Sequence, residues 1–392
     1  MKRILFLSYW FPYPADNGSK LRIYNLLKQL STAFEIDLLS FCGEAASPWQ
    51  IEHLSQYCQT IQYLPYKSSH LGRLKSLAGF LCPQPRSLFA AYDPDFQELV
   101  NRAEKTGNYD ALLISQIDMA PYAMRSRIPL RILEELEVSY TYDDFQSQPA
   151  GMARLRRALT WWKLCQYLRR ISRVFHACTV VSELEQKLVK QVCPHFPVHL
   201  VPNGVDIHYN RPAHIPQKPD ALVFSGSLTY HVNLNAAAYF LREIFPLIQQ
   251  QRPAARLTIT GRTDGLDRHW IKSHPAVHLT GFVEDVRPII QSSRVNVVPI
   301  LHGGGTRLKI LESFALGVPV VSTSVGIKGL AVTPGREALV ADSPDEFARA
   351  VLQILSDNQL SQSLVNHARV LVEQVYDWEK IGAAFRDLIN QL

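Results

Sequence analysis

The sequence predicts an α/β fold of two domains, each a parallel sheet covered by helices on both faces. Apolar runs of strand length alternate with helical patterns along nearly the whole chain, as repeated βα units require. The 392 residues exceed what one hydrophobic core ordinarily supports. Two such series are separated by residues 208–220, where Pro212, Pro216 and Pro219 stand among few apolar side chains and mark the best linker in the chain.

In the first series, residues 3–11 read as a buried strand. The start of the chain imitates a short signal peptide, but its apolar run stops at Phe11-Pro12 without a small-residue cleavage site. A helix follows at 21–34, then strands at 35–41, 60–64, 111–115 and 131–133, and a basic helical segment at 151–173. The series closes with a strand at 177–182, a helix at 183–192 and a strand at 198–201 that ends in Pro202-Asn203-Gly204-Val205-Asp206. Between the first strand and helix, the polar loop with Asn17, Gly18 and Ser19 lies at the carboxyl edge of the sheet, where open α/β sheets bind ligands. Gly18 there either permits close backbone approach or only closes the turn.

The second series opens with a strand at 221–224 running into Ser225-Gly226-Ser227, then a helix at 235–248 and a strand at 256–260 ending in Gly261-Arg262. A strand at 277–279 leads to Gly281-Phe282, and a helix at 285–292 leads to a strand at 295–300. A helix at 306–316, a strand at 318–322 and helices at 345–355 and 360–375 complete the series. Small residues recurring at neighbouring strand ends open a crevice for a flat or extended ligand, with simple tight turns as the alternative.

Hydrophobic residues at 47% and charged residues at 19% are globular proportions, and no apolar run approaches the ~20 residues that a spanning helix needs. The cysteines, Cys42, Cys58, Cys82, Cys165, Cys178 and Cys193, show no Cys-x-x-Cys pair and no metal spacing, so reduced cytoplasmic thiols are the expectation. A formal charge of +6 over this length does not by itself imply nucleic acid. The charge is concentrated in Arg154, Arg156, Arg157, Lys163, Arg169, Arg170 and Arg173, with no acidic residue from Gly151 to Arg173. Trp161, Leu164, Leu168 and Ile171 recur at helical spacing, so this helix either lies on an anionic bilayer or packs between elements with its arginines solvated. No nucleic-acid-binding module accompanies the patch.

The most informative stretch is His302-Gly303-Gly304-Gly305-Thr306-Arg307-Leu308-Lys309-Ile310-Leu311-Glu312, between the apolar run 295–300 and a helical pattern closed by Gly317-Val318-Pro319. A strand that ends in glycines and reopens as a helix aims backbone amides and the positive helix end at an anion beyond the sheet edge. Arg307 and Lys309 add positive charge, and Glu312, one turn past Lys309, can accept bonds from hydroxyls. Phosphate, cations and a hydroxyl acceptor together describe a nucleotide sugar; the plain alternative is a tight turn with a surface ion pair. No Gly-Lys-Ser/Thr follows the glycines and no Gly-x-Gly-x-x-Gly stands at the first strand, which sets aside a P-loop and an evident dinucleotide site. No Asp-x-Asp-like carboxylate set demands a metal, and Asp16 beside Asn17 reads as a turn former.

At these residues the chain resembles the family 4 (group 1) retaining glycosyltransferases. The matching pieces are Val201-Pro202-Asn203-Gly204-Val205-Asp206, Phe224-Ser225-Gly226-Ser227-Leu228, Gly281-Phe282-Val283-Glu284-Asp285-Val286, the run from Gly304 to Val321, and Tyr376-Asp377-Trp378. In the first half only 12–22 and Arg131-Ile132-Leu133-Glu134-Glu135 look alike. The resemblance implies the GT-B architecture, two Rossmann-like domains facing each other across a cleft: an acceptor domain at 1–205 joined by a returning helix at 378–392, and a donor domain at 206–377. It also implies transfer of a glycosyl group, with retention of configuration, from a nucleoside diphosphate sugar to a hydroxyl of a carbohydrate or lipid-linked acceptor, without cofactor or metal.

Carried over residue by residue, the resemblance makes Glu312 the ribose clamp, turns Arg307 and Lys309 toward the donor diphosphate, and brings Gly18 to that diphosphate from the opposite domain. Gly226, Arg262, Gly281, Phe282, Gly304, Gly305 and Thr306, with Asn17 and Ser19, complete the expected substrate contacts. Three departures stand out. Gly304 replaces the first glutamate of the family's pair, Leu136 replaces an N-domain histidine, and Leu228, His231 and Asn233 occupy a region that often carries Arg and Lys. Gly304 and Leu136 leave open a second expectation, a catalytically inactive nucleotide-sugar-binding scaffold in a polysaccharide assembly complex. The expected location is the cytoplasm, with peripheral contact to the inner face of the cytoplasmic membrane left open beside it.

Overall fold

The computed structural model describes residues 1–43, 45–66, 82, 85, 88, 92–265, 271 and 274–392. The segment 68–95, where Arg73, Lys75 and Arg86 stand among Leu77, Phe80, Leu81 and Phe89, falls mostly outside them. The chain divides into two compact units, Met1–Pro202 with Ile381–Leu392, and Asn203–Lys380. Each unit is built on one parallel sheet, the architecture the alternating pattern requires.

The first unit carries β1 (Lys2–Ser8), β2 (Phe34–Cys42), β3 (Thr60–Pro65), β4 (Ala111–Ser115), β5 (Leu130–Glu134), β6 (Ala177–Val180) and β7 (Val198–Leu200). Their order in the sheet is β3-β2-β1-β4-β5-β6-β7, all parallel. β4 and β6 are buried along their whole length, as strands covered on both faces must be. β1 ends at Ser8, short of the expected Phe11, because Ser8 Oγ turns the chain by donating to Trp10 O and accepting from Trp10 N at 3.2 Å. The helix Gly18–Leu30 starts three residues earlier than its apolar periodicity suggests, since Asn17 accepts from Lys20 N at 3.0 Å and caps it.

Arg22 on that helix is fully buried. Its Nε donates to Glu134 Oε1 at 2.7 Å, and Nη2 donates to the same oxygen and to Val201 O. Glu134 also accepts from Ser115 and Thr179 hydroxyls, each at 3.4 Å. The first helix is thereby tied to β4, β5 and β6 through one buried charge pair.

The helix Met152–Ile171 forms as its composition predicts, but the face marked by Trp161, Leu164, Leu168 and Ile171 is turned inward. Leu164, Leu168 and Ile171 are core residues, and Trp161 packs at 5.2 Å on Tyr142. That stripe therefore belongs to the packing alternative and does not itself meet a bilayer. Leu136 is likewise a core residue, its N–H bonded to Thr179 O at 2.9 Å. The helix Trp378–Gln391 completes this unit from the far end of the chain: Ile381, Phe385 and Ile389 are buried, and Arg386 Nη1 donates to Gln29 O at 2.7 Å.

The second unit carries β8 (Ala221–Ser225), β9 (Arg256–Thr260), β10 (Val277–Gly281), β11 (Val295–Val298), β12 (Val320–Ser322) and β13 (Leu339–Val340). The order is β10-β9-β8-β11-β12-β13, again parallel throughout. The motif helix runs Leu308–Leu316 and stops at Gly317, whose φ of 74° is the left-handed cap that glycine accepts without strain. β13 is two residues long, below any length at which periodicity can announce a strand. Among the described residues no helix is long and apolar enough to cross a membrane.

Removing the Glu134 carboxylate takes its nearest charge partner from a buried guanidinium, leaving Glu135 at 3.9 Å and the Val201 and Pro202 carbonyls. Glu134→Ala is expected to cost about 3–5 kcal/mol, read as a lower denaturant midpoint for the full chain. Replacing both partners with apolar residues, Arg22→Met with Glu134→Leu, is expected to recover little of that loss, because the buried Glu135 then loses the cation it faces.

Candidate functional site

In the second unit the parallel sheet brings four strand ends together in the order β10, β9, β8, β11. Gly281-Phe282, Gly261-Arg262 and Ser225-Gly226 leave the first three, and the glycine loop follows β11. A Cβ on Gly261 would lie 2.5 Å from the Gly226 carbonyl group, so the turns after β8 and β9 approach as only glycine allows. Beyond them Phe282 is 63% exposed, and the Arg262 guanidinium sits 5.3 Å from its ring centre. That pair offers a flat, cation-backed ring at the crevice rim.

Lys309 reaches from the motif helix to the end of β8. Its Nζ donates to Asn233 Oδ1 at 2.9 Å and lies 4.5 Å from the Phe224 ring centre. Asn233 is itself held by Ser227 O at 2.9 Å. A Cβ on Gly226 would fall 2.7 Å from the ammonium nitrogen and 2.9 Å from the Asn233 amide, so the missing side chain is the space the cation fills. Burial pulls the Lys309 ammonium down to about 7, Arg307 adds to the shift, and Glu312 works the other way. Beside it the Ser225 hydroxyl is buried with no hydrogen-bond partner among the described residues.

Glu312 is half-buried and makes no hydrogen bond or ion pair with any described residue. Burial raises its carboxyl above the usual range, with Lys309 opposing. A carboxylate at this edge that faces the Lys309 charge and makes no hydrogen bond to a described residue is an acceptor available to ligand hydroxyls.

Arg307 lies against the glycine loop. Its Nη2 donates to Gly303 O at 2.6 Å, and Nη1 donates to Gly305 O at 3.1 Å and to Gly304 O. The guanidinium thus gathers three consecutive loop carbonyls. Gly303 and Gly305, with φ of 107° and 78°, supply the left-handed backbone this wrapping needs. Thr306 is anchored as well, its hydroxyl accepting from Asn203 Nδ2 at 3.1 Å. Of the positions where the family often has Arg and Lys, Leu228 is core, His231 stacks on His302 with centroids 6.4 Å apart, and Asn233 holds Lys309. Neither the role of Asn233 nor the orphan hydroxyl of Ser225 carries a signal in the sequence.

In the first unit, Asn17, Gly18 and Ser19 lie at the carboxyl edge beside two residues not foreseen. Gln116 and Glu135 directly follow β4 and β5 with φ of 73° and 56°, left-handed values that are costly for side-chain-bearing residues. Gln116 Nε2 donates to Ser19 Oγ at 3.1 Å and to Glu135 Oε2 at 3.2 Å. Burial raises the Glu135 carboxyl well above its ordinary range, opposed by Arg22. No sequence signal marks a strained backbone at Gln or Glu. Among the described residues no three His, Cys, Asp or Glu side chains gather to hold a metal ion.

Residues 219–357 match the family model described as Glycosyl transferases group 1. Over 97% of its length the chain is 21% identical to an uncharacterised 44.6 kDa protein of the cps region of Klebsiella pneumoniae, covering 98% of that protein. Sucrose-phosphate synthase from Thermosynechococcus elongatus has the same fold, with a TM-score of 0.75 at 16% identity, covering 100% of this chain and 99% of that one. The Anabaena protein HepE, solved with UDP and glucose, superposes with a TM-score of 0.67 at 14% identity, each chain fully covered.

Two outcomes follow from the geometry at Lys309. Its ammonium titrates near 7 in the unliganded protein, and a bound diphosphate holds it protonated, so binding above pH 7 takes up a proton and weakens by up to about ten-fold per pH unit. Calorimetric titration of a nucleoside diphosphate at pH 8 in two buffers of different ionisation enthalpy should give different heats; equal heats would reject the linkage. Gly226→Ala, which displaces the ammonium and puts a side chain at a φ of 139°, should weaken the same binding and also lower the melting temperature.

Proposed function

We propose, from the match of residues 219–357 to the group 1 glycosyltransferase model, that the chain moves a glycosyl group from a nucleoside diphosphate sugar to an acceptor hydroxyl with retention of configuration. The observation that carries this reading is the ammonium of Lys309, seated in the side-chain space of Gly226 one helical turn from a Glu312 carboxylate that makes no hydrogen bond to a described residue. That arrangement supports a diphosphate and a ribose lying side by side along the strand ends. The exposed Phe282 ring, backed by Arg262, suits the flat base. HepE, whose structure was solved with UDP and glucose, makes a uracil nucleotide the first donor to try.

The barrier lies in breaking the anomeric C–O bond while negative charge grows on the departing diphosphate. Lys309 and the amides of Gly304 to Thr306 stabilise that charge, and Arg307 contributes by gathering the loop carbonyls so that the amides are left for the anion. The acceptor hydroxyl enters on the face the diphosphate leaves and gives its proton to the departing phosphate oxygen, so configuration is kept without a dedicated protein base. Fixed cations serve where other enzymes use a divalent ion, so transfer proceeds in chelator. The acceptor is a carbohydrate, free or lipid-linked, held by the first unit, with the chain working at the inner face of the cytoplasmic membrane.

Lys309→Ala should lower turnover by ~10²-fold or more, and Arg307→Ala by a comparable factor through loss of loop order. Assay of uridine and other nucleoside diphosphate sugars, with the product anomer read by NMR, checks both the donor class and retention. Near-normal turnover in the Arg307→Ala, Lys309→Ala double variant, or an inverted product, would overturn the mechanism. Transfer abolished by chelator would overturn metal independence.

A further inference from the structure

The helix Met152–Ile171 has a second apolar face that the inward stripe hides from sequence periodicity. Met152, Leu155, Leu159 and Trp162 are 80%, 64%, 47% and 54% exposed, at spacings of three, four and three residues. At about 3.6 residues per turn these four fall within roughly 80° of arc, with Arg156, Lys163 and Arg170 in roughly the next 40°. On the opposite flank Arg157 pairs with Asp144 at 3.0 Å and Arg154 lies 5.6 Å from the Phe145 ring centre, so those two cations serve the packing against the helix Ser139–Gln146. No acidic residue occurs anywhere from 151 to 182.

We propose that this outer face is a docking surface for an anionic lipid bilayer, lying in the interface with Met152, Leu155, Leu159 and Trp162 among the acyl chains and the exposed Arg156 and Arg170 at the headgroups. It names the surface through which the membrane placement above is made and depends on no step of the transfer reaction. Charge selects the occupant. The same spacing could zip two copies of the helix together, but that would bring Arg156 and Arg170 against their own copies with no carboxylate on the helix to offset them. A bilayer rich in anionic headgroups meets both the apolar stripe and its cationic border.

The test is flotation of the full chain with vesicles of phosphatidylcholine with and without phosphatidylglycerol. The wild-type protein should float with the anionic vesicles only and be released by salt. Leu155→Asp with Leu159→Asp should lower partitioning by roughly ten-fold or more per leucine, and Arg156→Gln with Arg170→Gln by roughly five-fold per cation. All four positions lie outside the core, and unchanged melting temperatures and unchanged calorimetric binding of a nucleoside diphosphate would show that the donor side is intact in these variants. Failure of flotation with nucleotide binding retained overturns the docking surface and leaves the transferase reading standing. Equal flotation on neutral vesicles, undiminished flotation of either variant, or a dimer by light scattering that Leu155→Asp dissolves would each overturn the proposal.

Discussion

Parallel strands impose one constraint from which the rest follows: every strand of a sheet delivers its carboxyl end to the same edge. In the second unit that edge collects the turns after β8, β9, β10 and β11. Backbone crowding there is relieved by glycine, and the volume glycine leaves empty is taken by charge. Gly226 is the clearest case, because the space its side chain would fill holds the ammonium of Lys309. Position, burial and charge of the cation are therefore consequences of sheet direction as much as of the residue itself.

Electrostatics at this edge is governed by desolvation more than by pairing. Lys309 and Glu312 are one turn apart and of opposite sign, yet neither settles the other: burial lowers the first and raises the second. Two charged groups held away from water without full compensation store a preference for a ligand that brings the missing partners. Arg307 contrasts with them. Its charge is spread over three backbone carbonyls, which shapes the glycine loop from within.

The strands were legible because parallel sheets bury both faces, and continuous apolar runs such as 111–115 and 295–300 announce themselves. The glycine loop and the helix Leu308–Leu316 were legible because turn and cap residues have few substitutes. Long-range polar pairing was not. Arg22 and Glu134 are 112 positions apart, and nothing in either neighbourhood says they meet in the core. The strained backbones of Gln116 and Glu135 were hidden for a related reason, since strain depends on what surrounds a residue. The helix Met152–Ile171 shows a third limit: when both faces carry apolar residues, periodicity finds a stripe without saying which one the core takes. The short helices Pro48–Leu54 and Ser139–Gln146 escaped because seven or eight residues hold too few periods to stand out.

The final helix carries a consequence for biogenesis. Ile381, Phe385 and Ile389 are interior residues of a unit whose other members end at Pro202. At about 5–20 residues per second, the ribosome needs roughly 10–40 s to add the intervening stretch. During that interval the nascent first unit lacks part of its interior and shows an apolar groove to the cytosol, while the second unit has yet to emerge complete. Chaperone demand and vulnerability to proteolysis should thus be concentrated in the earlier-made half, contrary to the usual advantage of being synthesised first.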